Sequence, residues 1–374
     1  RPRHIQDPTR RFQLTKEDIQ LLNPNTRTCP VFRSQGDAEL TKSIHRRIPV
    51  LVTEAAGAPG NPWGITFMLM FMMNTASALF RTFAELQAAG GERDGADFLL
   101  PDGTRYVPLY EAKMVHQFDH RWATYETNGK DSRDASEGEK ADPVWQPLPR
   151  YWVPQAEVET ILRDKGWDRA WLLGWRDITL VTNERTVIAG VLPRVGVGHT
   201  VPLMFPATGG VGHWAALLAN LGSLVLDYLA RQKVGGTHLT YGYLKQFPVL
   251  PPDRYTDADL AFIVPRVLEL TSTAHDLAPW AHDLGHDGPP FRWDPEHRSQ
   301  LRAELDAYYA RLYGLTRDEL RYILDPADVY GPDYPSETFR VLKNREMKAF
   351  GEYRTRRLVL EAWDALEAQH KAPG

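Results

Sequence analysis

The segment between residues 170 and 205 restricts the possible folds of this chain more than any other part of the sequence. It contains three short apolar runs, at residues 171–178, 186–192 and 201–205, and runs of this length and composition are typical of β-strands. Glycine and proline residues between the second and third runs predict a tight turn. Helical spacing of apolar residues returns between residues 214 and 231. The sequence therefore predicts a small sheet that packs with helices.

Further helices are expected on both sides of this sheet. Apolar spacing, capping residues and stop signals predict them at residues 37–47, 77–89, 154–166, 237–247, 257–271, 295–313, 317–323 and 352–369. Residues 128–142 contain no large apolar side chain, which predicts a mobile, exposed loop. The predicted fold class is α+β, with a small mixed sheet and packed helices followed by a mostly α-helical carboxyl-terminal region. The prolines of residues 248–252 predict the boundary between these two parts.

Composition excludes several classes of protein. The 374 residues carry a net charge of −4, which excludes a uniformly basic nucleic-acid coat but not a local basic face. Cys29 is the only cysteine, so the chain is neither a disulfide scaffold nor a multi-cysteine zinc protein. No apolar run approaches the roughly 18 residues of a membrane span, and no signal peptide is evident. We expect a cytoplasmic protein, and its first residue, Arg1, is consistent with a piece of a longer one.

One motif resembles a nuclease site. Asp102 follows a proline, and Glu111-Ala112-Lys113 follows nine residues later, which together match the PD and E-x-K pattern of metal-dependent nucleases. In such a site two carboxylates hold a divalent cation and the lysine helps to position the attacking water. Asp102-Gly103 is equally typical of a hairpin turn. Both interpretations stay open at this point.

A second motif places His116 and His120 four residues apart. On a helix, this spacing would put both imidazoles on one face, as in helical zinc sites. However, Gln117 occupies the position where zinc proteases carry a glutamate, and no third ligand is evident nearby. The alternative is that both histidines form hydrogen bonds or contact phosphates.

Two glycine-containing segments are candidates for contacts with phosphates or bases. Residues 194–199 predict a glycine turn at a sheet edge that exposes Arg194 and His199, and such a turn is also typical of a plain hairpin. Residues 231–238 place Lys233, Thr237 and His238 around Gly235-Gly236. Free N–H groups there could bind phosphate, or the cations could simply stabilise a helix carboxyl terminus.

Seven longer sequence segments resemble those of a known protein family. They are NPNTRTCPVFRSQGDAELTKSIHRRIPVL (23–51), NPWGITFMLMF (61–71), PLYEAKMVHQFDHRWATY (108–125), PRYWVPQAEV (149–158), TNERTVIAGVLPRVGVGHTVPLM (182–204), LDYLARQKVGGTHLTYGYLKQFPVLPP (226–252) and FRVLKNREMKAFGEYRTRRLVLEAWDAL (339–366). In this order they resemble the carboxyl-terminal half of large single-chain adenine-N6 DNA methyltransferases. That group includes type IIG restriction-modification enzymes and the methyltransferases of the BREX and DISARM phage-defence systems. The resemblance extends over nearly the whole chain.

The resemblance implies a recognition role without catalysis. In that family the amino-terminal half binds S-adenosylmethionine and carries the Asn-Pro-Pro-aromatic box, and neither motif occurs here. We therefore expect no cofactor, no metal and no catalytic residue in this chain. The regions implied are a segment leading into the recognition region (1–105), the core of a DNA target recognition domain (106–252) and a helical carboxyl-terminal domain (253–374). The resemblance also places residues 111–113 in the recognition half rather than in the nuclease.

The expected partners are double-stranded DNA and a missing methyltransferase half or subunits of a defence system, with no membrane. The residues expected to contact DNA are Lys113, His116, His120, Arg121, Arg185, Arg194, His199, Lys233, Thr237 and His238. Two alternatives remain. One is a metal-dependent nuclease that uses Asp102, Glu111 and Lys113. The other is a protein-interaction module of a defence complex.

Overall fold

The computed structural model describes residues 11–54, 60–334 and 338–371, and it confirms the α+β class. Its strands are β1 (Thr66–Met68), β2 (Glu92–Asp94), β3 (Asp97–Leu99), β4 (Arg105–Tyr110), β5 (Ala123–Tyr125), β6 (Ser132–Asp134), β7 (Trp152–Pro154), β8 (Trp171–Trp175), β9 (Ala189–Pro193), β10 (Gly196–Val197) and β11 (Leu203–Phe205). The predicted strands at residues 171–178, 186–192 and 201–205 correspond to β8, β9 and β11. They lie in one antiparallel sheet of order β1-β11-β8-β9.

A second sheet is built around β4. This strand pairs antiparallel with β3 and β7 and parallel with β10, and β2 extends the sheet beyond β3. Strands β5 and β6 form a separate hairpin. Because β9 belongs to the first sheet and β10 to the second, the glycine turn between them joins the two sheets rather than projecting freely.

The helices account for most of the remaining described chain. They are α1 (Lys16–Leu22), α2 (Gln35–Arg47), α3 (Phe83–Ala88), α4 (Glu137–Ala141), α5 (Gln155–Lys165), α6 (Val211–Gly222), α7 (Leu224–Arg231), α8 (Tyr241–Leu244), α9 (Asp257–Thr271), α10 (Ala278–Asp283), α11 (Pro295–Leu312), α12 (Arg317–Leu324), α13 (Ala327–Tyr330), α14 (Arg340–Phe350) and α15 (Arg354–Lys371). Short 3₁₀ turns occupy Ser77–Leu79, Ala112–Met114, Pro252–Arg254 and His275–Leu277. Helix α14 was not predicted from the sequence.

Most predicted helices are confirmed, but two are interrupted. The helix predicted at 214–231 ends at Gly222 and restarts at Leu224, because Ser223 is extended and its hydroxyl caps the second helix by accepting from the Leu226 N–H. The helix predicted at 77–89 becomes a 3₁₀ turn followed by α3, which has its own Thr82 cap. The helix predicted at 237–247 shrinks to α8.

The prediction of a loop at residues 128–142 is wrong. Ser132–Asp134 forms β6, and Ser136 and Glu139 form a capping box that begins α4. The guanidinium of Arg133 lies 2.6 Å from the Glu139 carboxylate, and Lys140 is buried. This segment is ordered by polar contacts, which a count of apolar side chains does not detect.

One continuous core joins the sheets to the carboxyl-terminal helices. The fully buried large side chains include Trp63, Trp171, Trp175 and Trp280, which come from widely separated parts of the chain. Helix α9 packs against α6, so residues on both sides of the proline cluster share this core, and the boundaries at residues 105 and 252 stay predictions. Within the described ranges, no helix is long and apolar enough to cross a membrane.

Candidate nucleic-acid interface

The segment containing His116 and His120 is a tight turn, so the alternative of a helical zinc pair is wrong. His116 and Asp119 exchange both backbone hydrogen bonds, at 2.7 and 3.0 Å, and Phe118 takes a positive φ of 57°. His116 stacks on Trp122 at a ring distance of 4.2 Å, whereas His120 Nε2 lies 2.9 Å from the buried Asp276. The two imidazoles therefore have separate partners, and no cluster of metal ligands occurs in the part of the chain that the structure describes.

The side chain of Arg121 holds the fold together from inside. It is 0% exposed, and its terminal nitrogens donate to the carbonyl oxygens of Lys140, Asp142, Trp145 and Thr273 at 2.8–3.1 Å. Burial of a guanidinium without a carboxylate in contact lowers its pKa, and this direction holds for Arg121. A DNA contact from Arg121 would require these bonds to break.

Arg194 and Lys233 are also held by internal contacts. Arg194 donates to the Glu159 carboxylate, at 2.7 Å for the closest pair, and to the carbonyls of Trp167 and Arg169. The ammonium of Lys233 donates to the carbonyls of Leu22 and Gln246, and burial lowers its pKa well below the ordinary value. These two cations therefore link neighbouring segments, and neither is free to meet a phosphate in this conformation.

Arg185 is buried as well, but it is held more loosely. Its guanidinium lies 3.6 Å from the Asp306 carboxylate and 3.5 Å from the carbonyl oxygen of Gly222. Both distances exceed those of a good charge-assisted hydrogen bond. The side chain faces an internal cleft between helices rather than the outer surface.

The three residues of the nuclease motif do not converge. Asp102 lies in the β3–β4 turn, where its carboxylate accepts from the Thr104 N–H at 2.9 Å. Glu111 follows the other end of β4, a strand of six residues and about 20 Å in length, so the two residues lie beyond opposite ends of it. Glu111 accepts from the Tyr125 hydroxyl, and Lys113 donates to Ser132. This arrangement offers no common point for a divalent cation.

Four other predicted residues lie on segments that are joined by hydrogen bonds, and we call this group the candidate interface: Lys113, His199, Thr237 and His238. They come from three separate segments of the sequence. Lys113, Thr237 and His238 are exposed, and His199 is half-buried. The 3₁₀ turn, the turn after β10 and the glycine loop before α8 provide them.

A chain of hydrogen bonds connects these segments. The hydroxyl of Thr200 accepts from the Ala112 N–H, and the Thr200 carbonyl accepts from the Asp177 N–H at 2.9 Å. The Asp177 carboxylate lies 2.5 Å from His238 Nδ1, and its carbonyl accepts from the Leu239 N–H. The backbone of Thr179 then donates to Thr237. Asp177 and Thr200 are the connecting residues that sequence reasoning missed.

The two histidines are oriented by these contacts. His199 Nδ1 accepts from the Met73 N–H at 3.4 Å, which leaves Nε2 as the protonated donor of the neutral ring. His238 Nδ1 faces the Asp177 carboxylate, and its side chain is 55% exposed, so its Nε2 is presented outward. The Lys113 ammonium lies 4.8 Å from the Tyr125 ring centroid. The candidate interface therefore offers donors at Lys113 and His199, suited to phosphate oxygens or base-edge acceptors, and an acceptor at His238 Nε2, because the Nδ1–H of that ring donates to Asp177.

Apolar side chains border the candidate interface. Ile178 pairs with His238 in an isolated β-bridge, and Ile178, Leu180 and Tyr241 are each more than 40% exposed. The Tyr241 ring stacks on Phe67 at 6.0 Å. Contiguous exposed apolar side chains mark interaction surfaces more often than plain solvent faces. The surface therefore combines polar donors with groups that can contact a thymine methyl, a base or a protein partner.

Comparison of the sequence with protein-family models and with curated proteins finds no match.

Proposed function

We propose that this chain is the sequence-specific DNA recognition module of an adenine-N6 DNA methyltransferase from a restriction-modification or phage-defence system. The observation that carries the proposal is that hydrogen bonds join the segments of Lys113, His199, Thr237 and His238, of which His199 is half-buried and the other three are exposed. The family resemblance of the sequence phrases supports the same function. Asp177 and Thr200 strengthen the argument, because they hold the contributing loops in a fixed arrangement.

The proposed mechanism assigns different tasks to these side chains. Lys113 binds a phosphate and fixes the register of the protein on the duplex. His199 donates from Nε2 to a base-edge acceptor, whereas His238, whose Nδ1–H donates to Asp177, accepts at Nε2 from a base-edge amino group. Thr237 donates to a phosphate or a base. Recognition selects the adenine that the catalytic half flips out of the duplex and methylates. S-adenosylmethionine binds that other half in our proposal, and we assign no residue of this chain to it.

The proposed setting is the cytoplasm, with double-stranded DNA and a methyltransferase half or defence subunits as partners. The test is selection from a randomised duplex library at low salt, first with EDTA and then with magnesium, with sequencing of the bound and the cleaved molecules. Enrichment of a short asymmetric motif in both buffers is the expected result. Loss of that motif in His238→Ala, but not in Arg163→Ala, would tie it to the candidate interface, because Arg163 lies exposed on α5.

The library experiment also separates the alternatives. Magnesium-dependent cleavage that Glu111→Ala abolishes would replace this proposal with the nuclease. A second candidate, a protein-interaction module, is favoured by the exposed Ile178, Leu180 and Tyr241. Absence of any enriched motif, together with a stable complex formed on adding a methyltransferase half, would favour that candidate.

A further inference from the structure

A cleft on another part of the molecule contains an unusual concentration of arginine. The turn at residues 116–122 and helices α4, α11, α14 and α15 enclose a cavity of about 330 Å³. Its lining includes Arg185, Arg298 and Arg302, together with His116, and we call it the arginine cleft. The volume lies at the lower end of the range for small-molecule sites, which is about 300–1,000 Å³.

The carboxylates around the arginine cleft already have other partners. Asp119 binds Lys140 at 2.6 Å, Glu346 accepts from the backbone and hydroxyl of Thr355, and Glu184 binds Arg345 at 2.9 Å. Asp306 accepts from the Leu224 N–H at 2.7 Å and lies 3.6 Å from Arg185. Glu137 is exposed, so it is solvated.

The guanidinium groups are correspondingly short of negative partners. Arg298 donates to the carbonyls of Leu270 and Phe118 and lies 3.8 Å over the Trp293 ring. Within the described ranges, the hydrogen-bond partner of Arg302 is the Ser299 hydroxyl, at 3.4 Å. Among the described residues, no carboxylate lies within 4.0 Å of the charged nitrogens of Arg298 or Arg302. Arg298 is buried and Arg302 is half-buried, and a desolvated charge without a counter-charge in contact is costly, so this arrangement favours binding of an anion.

Three side chains of the cleft have lowered pKa values, for which burial is the first cause and the charges of neighbouring arginines a lesser one, while Asp119, Asp306 and Glu184 act in the opposite direction. Burial lowers the pKa of Arg298 to about 9. Burial also lowers the pKa of Arg302, and the nearby charge of Arg185 lowers it further. The pKa of His116 falls to about 3, first because of burial and then because of the charges of Arg176, Arg302 and Arg185. His116 is therefore neutral near pH 7 and adds a hydrogen-bonding group without further charge.

We propose that the arginine cleft binds a small phosphorylated molecule, whose phosphate group pairs with Arg185 and Arg302. The fork of a guanidinium matches two phosphate oxygens, and the loose contacts of Arg185 allow it to turn toward such a group. Arg185 and Arg298 are 7% and 6% exposed, so the rigid backbone of a DNA duplex does not reach them. The ligand is thus small, and the site is separate from the candidate interface.

The test uses the full chain and inorganic phosphate, with chloride at equal ionic strength as the reference. We expect saturable phosphate binding by calorimetry with Kd below about 1 mM. In Arg302→Gln this binding weakens by at least about tenfold. Without phosphate, the same variant melts at an equal or higher temperature than the wild type, because repulsion between Arg302 and Arg185 is relieved. Arg163→Gln, an exposed arginine on α5, is the matched control and binds like the wild type.

A second variant keeps the proposal testable if Arg302→Gln does not fold. Ser299→Asp places a carboxylate next to Arg302, where it supplies the missing anion, and we expect a higher melting temperature and no phosphate binding. Titrations with AMP and with a short 5′-phosphorylated oligonucleotide show whether the bound phosphate belongs to a small molecule or to a nucleic-acid end. Binding of AMP at least as tightly as phosphate supports a small ligand. Binding of the oligonucleotide alone, non-saturable binding of phosphate, or equal weakening in Arg163→Gln would overturn the proposal.

Discussion

The ammonium of Lys140 lies 2.6 Å from the carboxylate of Asp119, and both side chains are buried. The same ammonium lies over the rings of Trp122 and Trp293, at 4.3 and 4.8 Å from their centroids. This contact fixes α4 against the turn at residues 116–122. It also forms one wall of the arginine cleft.

Lys140→Ala should destabilise the protein by about 3–5 kcal/mol, because Asp119 is left as a buried, unpaired charge. Urea unfolding measures this loss, and amide hydrogen exchange should accelerate across residues 132–141. Lys130→Ala, at an exposed position in the same region, should change the free energy of unfolding by less than about 0.5 kcal/mol. Equal effects of the two substitutions would show that the buried pair does not order this segment.

The glycine turn offers a comparison between two neighbouring glycines. A Cβ at Gly196 would overlap Val153 and lie 3.2 Å from the Pro108 carbonyl, whereas a Cβ at Gly198 makes only contacts of 3.4 Å or longer. Gly196→Ala should therefore cost about 1–3 kcal/mol through overpacking, and Gly198→Ala less than about 1 kcal/mol. Thermal unfolding of both variants tests this order, and the reverse order would contradict the close packing of β10 on β7.

Acid should destabilise the protein partly through His116. The unfolded chain protonates this ring below about pH 6.5, whereas burial and nearby arginines lower the folded pKa to about 3. The unfolded state thus binds the extra proton between these two values, and stability falls with decreasing pH by up to about 1.4 kcal/mol per pH unit. His116→Gln should flatten the pH dependence of unfolding in this window.

The exposed His275 provides the control for that measurement. His275→Gln should leave the difference in stability between pH 7 and pH 4 unchanged, as measured by urea unfolding at both values. If His116→Gln also leaves it unchanged, the pKa of His116 is the same in the folded and unfolded states, and burial beside the arginines does not lower it.

Replacement of Lys113 should weaken DNA binding without weakening the fold. Loss of one phosphate contact is expected to reduce the slope of log affinity against log salt by about one. Because Lys113 is exposed, Lys113→Ala should change the free energy of unfolding by less than about 0.5 kcal/mol. Fluorescence anisotropy with the selected duplex at several salt concentrations measures the slope. An unaltered slope would remove Lys113 from the interface, and Arg163→Ala should show such an unaltered slope in any case.

Because Arg121 is buried, its replacement should destabilise the fold and should not alter the salt dependence of DNA binding. Arg121→Met should lower the free energy of unfolding by at least about 3 kcal/mol, because four backbone carbonyls lose a charged donor inside the protein. If the variant remains folded at low temperature, the salt slope of DNA binding should stay as in the wild type. A stable variant with a reduced slope would show that Arg121 reaches DNA after all.

Local sequence patterns predicted those elements that are specified by neighbours in the chain. The helix expected at 257–271 matches α9, because its Thr256–Asp259 capping box and apolar spacing are both local. The strands β8, β9 and β11 were located for the same reason. The prediction of a mobile loop at residues 128–142 failed. The order of this segment depends on Asp119, Trp122 and Trp293, which lie elsewhere in the sequence.

The residues of the candidate site were also predicted only in part from the sequence. The sequence alone determined the α+β class, most of the longer helices, three of the eleven described strands and a set of residues with chemistry suited to DNA. It could not determine which of those residues face outward, because a basic side chain forms the same hydrogen bonds with an internal carbonyl as with a phosphate. Only the tertiary structure assigned Arg121, Arg194 and Lys233 to internal contacts and joined the segments of the exposed Lys113 and His238 through hydrogen bonds. Contacts between distant segments determine which of these side chains are buried, because burial depends on what packs against a residue and not on what adjoins it in the chain.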